Sequence, residues 1–348
     1  MNSENVKNDS SSRKKDHIEI CLNDDVAYKK SNGFDEYEFR HYAITEVEID
    51  KIDFSLTFLK KKINLPFLIS CMTGGTSEAN KINAELAIAA QELKIPIGVG
   101  SQRQAFENSK YHDSYKVVRE KAPGVPVLGN IGAAQIAGMN GLSSIKRIID
   151  LIEADALVIH FNPLQELIQM NGEPNFSGVV KNIKKILKNI RIPLIIKEVG
   201  AGIDGTSAEK LIKLGIKGID VSGAGGTSWS AVEYLRNREA DRQFWDWGLP
   251  TSFCIREIKK LKKKFDFFLI ASGGISNATD IAKAYALGAD LTASARPLLK
   301  EVAANGPGGV IKLVGGWFED VKKIMYLTGS PNLKSLSKNK LIKKSDLY

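Results

Sequence analysis

Two short polar stretches, Ser272-Gly273-Gly274 and Ser294-Ala295, have the residue types and spacing of a phosphate grip. Each follows an apolar run, at 268–271 and 289–293, and the runs flank a helical stretch that starts near Asn277. That is the pattern of a β-α-β unit. Paired glycines remove Cβ atoms where backbone amides must approach an anion, and a helix starting at Pro297 would add its own N-terminal amides. In (β/α)8 barrels such a site lies after strands seven and eight and takes the phosphate of a flavin or of a sugar substrate. Two ordinary tight turns would read the same way.

Other polar residues follow apolar runs in the same manner: Met72-Thr73-Gly74-Gly75, Ser101-Gln102-Arg103, Asn130, His160 with Asn162, Gln165 and Glu166, Lys197-Glu198, and Ser222 with Gly225-Gly226-Thr227. Polar groups at the ends of buried strands are costly unless they are paired or used, so this ring reads as a ligand site. Lys197 could offset negative charge on a flavin's N1–C2=O edge, with Asn130 and Thr73 bonding the ring, or could pair with Glu198 or another carboxylate. Gln165 and Glu166 offer hard oxygens suited to Mg²⁺ shared with phosphate oxygens. His160 is a hydrogen-bonded core histidine or an aid to proton transfer.

Eight apolar runs carry this ring, at 67–71, 95–99, 126–131, 156–161, 193–196, 218–221, 268–271 and 289–293, each followed by a helix-like stretch. Continuous apolar strands imply burial on both faces, and alternation with helices implies parallel order. The fold class expected is α/β, a (β/α)8 TIM barrel. No strand opens a G-x-G-x-x-G; the nearest text, Gly98-Val99-Gly100, has Arg103 where the third glycine would stand, which argues against a doubly wound dinucleotide fold. Upstream, residues 34–65 alternate polar and apolar, as at Ile44-Thr45-Glu46-Val47-Glu48-Ile49, which predicts a short antiparallel β ribbon before the barrel. The division expected is a disordered 1–12, one barrel domain over 13–329 with an N-terminal extension at 13–65, and a basic tail at 330–348. The stretch 227–251, with three tryptophans amid Arg and Asp, reads as a lid or as an aromatic cluster on the rim.

Bulk composition narrows the class. With 348 residues, 43% of them hydrophobic, the chain can build one large barrel core. Its net charge of +9 fits anionic partners, but the excess sits in Lys runs of solvated type, with no RRM, KH, zinc-finger or homeodomain pattern. Nucleic acid is not expected. Three widely spaced cysteines without a CxxC indicate neither a disulfide framework nor a zinc site, and no stretch reaches the roughly 18 apolar residues of a membrane span. A cytoplasmic protein with no membrane association is the expectation.

Taken in order, the motifs resemble those of the type II isopentenyl-diphosphate isomerases, flavoenzymes built on a (β/α)8 barrel. The resemblance runs from Arg13-Lys14-x-x-His17 through Met72-Thr73-Gly74-Gly75, Gly100-Ser101-Gln102-Arg103, Gly129-Asn130-Ile131-Gly132, His160-x-Asn162-x-x-Gln165-Glu166, Lys197-Glu198-Val199-Gly200 and Gly223-x-Gly225-Gly226-Thr227 to Ser272-Gly273-Gly274-Ile275 and Ser294-Ala295. It implies conversion of isopentenyl diphosphate to dimethylallyl diphosphate with FMN, Mg²⁺ and a reductant such as NADPH, in a homo-oligomer, a tetramer or octamer. It further implies that Met72, Thr73, Gly74, Ser101, Asn130, Lys197, Thr227, Gly273, Gly274, Ser294 and Ala295 hold FMN. Arg13, Lys14, His17, Ser101, Arg103 and Gln165 would hold the prenyl diphosphate, Glu166 the metal, and Gln165, His160 and Lys197 would serve the catalytic step.

Moving an unactivated double bond requires a proton at one end of the alkene and loss of another at the allylic carbon. No ordinary side-chain pair in the ring suffices for that, and the resemblance assigns the task to reduced flavin without net redox change. Diphosphate binding would then position the alkene. Arg13 and Lys14 precede the barrel and must fold back over it, so the segment is expected to order only when diphosphate is present. The alternative is an FMN-dependent 2-hydroxy-acid oxidase, whose family carries His-Gly-Gly after strand six; here 222–227 lacks histidine. An inosinate-type dehydrogenase would need a nucleophilic Cys in a barrel loop.

Overall fold

Three short strands precede the barrel: β1 (Tyr37–Phe39), β2 (Leu56–Phe58) and β3 (Lys61–Ile63). The next eight strands, β4 (Phe67–Ile69), β5 (Ile97–Gly98), β6 (Val127–Gly132), β7 (Ala156–His160), β8 (Leu194–Lys197), β9 (Gly218–Asp220), β10 (Phe268–Ala271) and β11 (Leu291–Ser294), close into a parallel barrel in which β11 pairs with β4. β12 (Leu341–Lys343) follows near the C-terminus. This is a computed structural model, and it describes residues 10–139, 141–238, 242–338 and 340–348, with the side chains of residues 10, 11 and 107 outside the description. Of the stretch 1–12 expected to be disordered, residues 1–9 lie outside the described residues, whereas Ser10 opens the helix Ser10–Asn23.

The strands form where the sequence runs apolar because both faces are buried. One face packs on the surrounding helices and the other fills the barrel interior, where Leu68, Leu128, Val158, Ile195, Ile270 and Leu291 meet. Register then sets the chemistry: Gly132, His160, Lys197 and Asp220 are successive partners across β6, β7, β8 and β9. Three titratable side chains thus end neighbouring strands at one level of the mouth.

The bottom of the barrel is closed by the antiparallel β2–β3 ribbon. Leu59 and Lys60, with φ of 50° and 66°, form its two-residue turn, and the fully buried Phe58 and Ile63 plug the interior cluster. Lys61 Nζ donates to Val125 O (3.0 Å) and to Asp155 Oδ2 (2.9 Å), and the same carboxylate accepts from Arg119 Nη2 (2.7 Å) and from the amide of Val127 at the start of β6 (2.8 Å).

The alternation at 44–49 does not make a strand. Ile44 is 86% exposed, and Tyr42 N and Thr45 Oγ1 donate to the Leu327 and Tyr326 carbonyls. The helical stretch Arg296–Leu327, broken at Gly306, ends there, and its unsatisfied carbonyls occupy the donors a strand partner would need. β1 pairs instead with β12, Tyr37 opposite Lys343. The Lys-rich C-terminal segment is therefore folded here, with Leu336 buried and Lys340 Nζ 3.9 Å from the centre of the Tyr42 ring.

Replacing Asp155 by Asn removes the charge that gathers Lys61 and Arg119 while keeping the shape. Urea unfolding should show a loss of about 2–3 kcal/mol, and protein that stays folded should keep whatever activity the mouth supports, because the substitution is at the far end of the barrel. An unchanged unfolding midpoint would show that the cluster does not hold the barrel bottom.

Candidate active site

The C-terminal ends of the strands surround a cavity of about 660 Å³. Every residue that the resemblance assigns to cofactor, substrate, metal or catalysis lines it except Gly74. Gly74 lies behind the wall, where a Cβ would fall 2.2 Å from Tyr115 Cε1, and its carbonyl accepts from Lys14 Nζ (2.6 Å).

On the β9–β11 side, two glycine turns pack backbone against backbone. Gly273 and Gly274 have φ of 98° and 76°, a Cβ on Gly273 would lie 2.1 Å from Gly223 O, and one on Gly226 would lie 2.5 Å from Gly274 N. Only glycine supplies both the left-handed backbone and the close approach. Ser294 Oγ donates to Ile275 O (2.7 Å), tying the end of β11 to this turn. The amides of Gly226, Gly273, Gly274 and Ala295 donate to no protein acceptor among the described residues. A cradle with spare N–H groups and no side chains fits the phosphate of FMN.

Across the centre of the mouth the charges are fixed by pairing. Lys197, buried, does not pair with Glu198. Its Nζ lies 3.4 Å from Asp220 Oδ2 and donates to Ser222 Oγ (3.3 Å), while Ser272 Oγ donates to the other Asp220 oxygen. Ser222 takes φ 38°, a strained value for a residue with a Cβ, beside this pair. Glu198 instead accepts the amides of Val199, Gly200 and Ala201, and burial pushes its carboxyl above the ordinary range despite those donors. His160 Nδ1 is 2.9 Å from Asn130 Oδ1; as that carbonyl oxygen accepts, the ring nitrogen donates. Burial, reinforced by the Lys197 and Lys14 cations, lowers the His160 pKa to about 3. The imidazole is neutral at physiological pH, with Nε2 as an acceptor.

The opposite side, after β5 and β7, is built with the N-terminal helix. Lys14 Nζ donates to Gly74 O, Ser101 O (3.1 Å) and Tyr115 OH (2.9 Å), joining the loops after β4 and β5. His17 Nε2 lies 2.9 Å from Glu233 Oε1, and Arg296 Nε donates to Cys21 O (2.8 Å). These anchors are made by protein groups and seat the helix on the mouth. Arg13 enters the cavity from its first turns; burial and the neighbouring Arg103 hold its pKa below the ordinary value. Arg103 Nη2 itself donates to Glu173 Oε1 (2.8 Å).

Glu233 is the residue the sequence reading misses. Its carboxylate, 1% exposed, accepts from Gln165 Nε2 (3.1 Å) and Arg236 Nη1 (2.6 Å) and faces His17. Burial would raise its pKa, but these partners hold it down to about 2. Burial moves His17 the other way, below its ordinary value. Glu233 belongs to the helix Trp229–Arg236 within 227–251, and the signal for it was the Ser228 cap followed by Glu233 and Arg236 one turn apart. The aromatic residues of this stretch clasp the extension: Trp245 Nε1 donates to Ala27 O (2.9 Å), Tyr28 OH to Trp247 O (2.9 Å), and Trp229 meets the His17 ring edge-on.

Glu166 is buried and partnered. Asn162 Nδ2 donates to its Oε1 (3.0 Å), and Gln169 Nε2 (2.6 Å) and Glu173 N (2.8 Å) donate to its Oε2. Asn162 Oδ1 beside it is buried without a hydrogen-bond partner. Among the described residues, no three His, Cys, Asp or Glu side chains gather to hold a metal. The donor set fits a hard cation only if one carboxylate, the spare Asn162 oxygen, water and ligand oxygens share it. Burial pushes the Cys71 thiol up to about 12 and that of Cys21 to about 11, which removes both as nucleophiles.

Residues 148–343 match the family model described as FMN-dependent dehydrogenase. The fold agrees: a mutant flavocytochrome b2 with pyruvate bound superposes with a TM-score of 0.71 at 17% identity, covering 94% of this chain and 82% of that one, and a mandelate oxidase mutant with a TM-score of 0.62 at 16% identity, covering 90% of each. Fold and cavity thus define a barrel of the FMN-dependent dehydrogenase class. Isopentenyl-diphosphate delta-isomerases of Chlorobium limicola, Nostoc sp. and Pyrococcus horikoshii are 43%, 45% and 41% identical over 98%, 93% and 95% of this chain, and over 98%, 93% and 91% of their own lengths. The chain belongs to the isopentenyl-diphosphate delta-isomerase family.

A carboxylate whose pKa is lowered on folding contributes stability that is present above its unfolded value and lost as pH falls toward the folded one. For Glu233 that window runs from about 4.5 down to about 2. Glu233→Gln should therefore melt lower than wild type at pH 7, and its melting temperature should fall less steeply between pH 4.5 and 3. Parallel curves for the two proteins would remove Glu233 from the acid response.

Proposed function

We propose that this enzyme interconverts isopentenyl diphosphate and dimethylallyl diphosphate in isoprenoid biosynthesis, with FMN kept reduced by NADPH and with Mg²⁺. One proton is added at the terminal alkene carbon and one is lost from the allylic carbon, so there is no net redox change. The observation that carries this reading is the pair of anion grips on opposite sides of one mouth. The glycine cradle follows β9 to β11, and Arg13 and Lys14 of the N-terminal helix, with Arg103 of the helix after β5, line the side across from it.

Reduced FMN, when bound, supplies the acid-base and electrostatic partner for the alkene. The chain's own groups do the rest. Gly273, Gly274, Ser294 and Ala295 would hold the flavin phosphate, and Met72, Thr73, Ser101, Asn130, Lys197 and Thr227 its ring and ribityl chain, with Gly74 fixing the loop through Lys14. Lys197, kept in the mouth by Asp220 and Ser222, would place a cation where a reduced ring carries negative charge. Arg13, Lys14, His17, Ser101 and Arg103 would hold the diphosphate, together with Mg²⁺ on Glu166. Gln165 is locked by Asn162 and Glu233, so its amide would meet the alkene end in one orientation. His160, kept neutral by burial beside Lys197 and held with its Nδ1 proton on Asn130, would accept a hydrogen bond at Nε2 and orient the ring beside the reacting carbons. Remote binding of the diphosphate then lowers the barrier at carbon by fixing the alkene against the ring.

Oxidation of a 2-hydroxy acid would require a base after β9. None stands there: Ser222, Gly223, Ala224, Gly225, Gly226 and Thr227 fill the turn.

Under anaerobic conditions with reduced FMN and Mg²⁺, the protein should convert isopentenyl diphosphate to dimethylallyl diphosphate with no net oxidation of flavin. Glu166→Gln should raise the Mg²⁺ concentration for half-maximal rate by about tenfold or more, as loss of the one charged ligand implies. Unchanged metal dependence would remove Glu166 from the metal, and absence of the allylic product would end the isomerase reading.

A further inference from the structure

The two glycine turns that form the cradle do not hold their own orientation. Both Gly273 and Gly274 sit at left-handed backbone angles, and a glycine pair has many alternatives of similar energy. What fixes the peptide planes is a set of bonds to their carbonyls, made from behind the cavity wall. Thr251 Oγ1 donates to Gly273 O (2.6 Å) and also approaches Ser272 O (3.2 Å). Asn32 Nδ2 donates to Gly274 O (2.9 Å). Neither Asn32 nor Thr251 lines the cavity.

A trans peptide is planar with its C=O and N–H opposed, and the chain has no cis bonds among the described residues. A carbonyl drawn back toward Thr251 or Asn32 therefore turns the N–H of the same peptide, that of Gly274 or Ile275, toward the cavity. Neither amide donates to a protein group among the described residues. Two such amides, aimed alike at left-handed turns, form an anion-binding nest.

Asn32 is itself fixed. Its Oδ1 accepts from Phe34 N (3.0 Å) and its carbonyl from Ser252 N (3.0 Å). A Cβ on Gly225 would lie 2.3 Å from Asn32 N, so the extension is wedged directly against the first glycine turn. Thr251, at the head of the helix Thr251–Lys259, is fully buried.

We infer that Asn32, from the extension outside the barrel, and Thr251 are positioning residues for the flavin phosphate: by holding the Gly274 and Gly273 carbonyls away from the cavity they keep the cradle's amides aimed into it. This rests on the flavin reading above and adds to it that the extension serves the cofactor as well as the substrate.

The phosphate can be isolated by comparing FMN with riboflavin, which lacks it. Binding of each oxidised flavin to the full-length apoprotein is followed by fluorescence quenching. Asn32→Asp keeps the acceptor for Phe34 N but replaces the donor to Gly274 O with an acceptor; Thr251→Val keeps shape and loses the hydroxyl; Thr251→Ser restores it. Loss of one such bond should weaken FMN by about tenfold in Asn32→Asp and in Thr251→Val, with riboflavin affinity held within about twofold and FMN affinity regained in Thr251→Ser. FMN affinity unchanged in both variants, or FMN and riboflavin weakened equally, overturns the inference. Wild-type protein that takes up neither flavin overturns the flavin reading itself, so the two failures are distinguishable.

Discussion

A polar group at the end of a buried strand must find a partner, and in this barrel nearly every such partner comes from another element. Lys197 at the end of β8 is held by Asp220 at the end of β9, and Asp220 in turn by Ser272 after β10. Leaving any one of them alone would strand a buried charge, at a cost of several kcal/mol. The cation consequently stays in the mouth. The same logic makes His160 neutral: beside Lys197, in a buried site, a second positive charge has no compensation.

Glu233 extends the pattern to the parts that lie outside the barrel. One carboxylate gathers His17 of the N-terminal helix, Gln165 of the helix after β7 and Arg236 of its own helix. Three segments far apart in the chain thereby share one seat, and the helix that carries Arg13 is held over the cavity. The aromatic residues of 227–251 close the same seat from the solvent side, with Trp245 and Trp247 bonded to residues 27 and 28. The cationic side of the mouth and the glycine turns across from it thus both lean on residues 10–36, which are no part of the eight-stranded barrel.

Much of this was readable before any coordinates. Continuous apolar runs buried on both faces identify all eight strands, and the small or polar residues that end them mark the mouth, because a buried parallel strand can change to polar text only where it leaves the barrel. Other features were hidden for physical reasons. Lys197 and Glu198 look like a pair in the text, but neighbours on a strand face opposite ways, so Lys197 reaches its register partner Asp220 instead. Asp220 stands inside an apolar run and gives no sign of its role. Glu233 and Asn32 act through partners 216 and 242 residues away, a separation over which sequence spacing carries no information. The alternation at 44–49 imitates a strand because one side of a loop that lies along a helix end is also half-buried.

A single glycine cradle beside Lys197 implies that this mouth receives FMN in one orientation and at one site. Titration of the purified, flavin-free protein with FMN, followed by visible absorption and near-ultraviolet circular dichroism, tests it most directly. The expected result is saturation at one FMN per chain, a shifted and structured flavin band near the visible maximum, and release of unmodified FMN on acid denaturation. A spectrum identical to that of free FMN at every ratio, with no flavin retained on desalting, would contradict it.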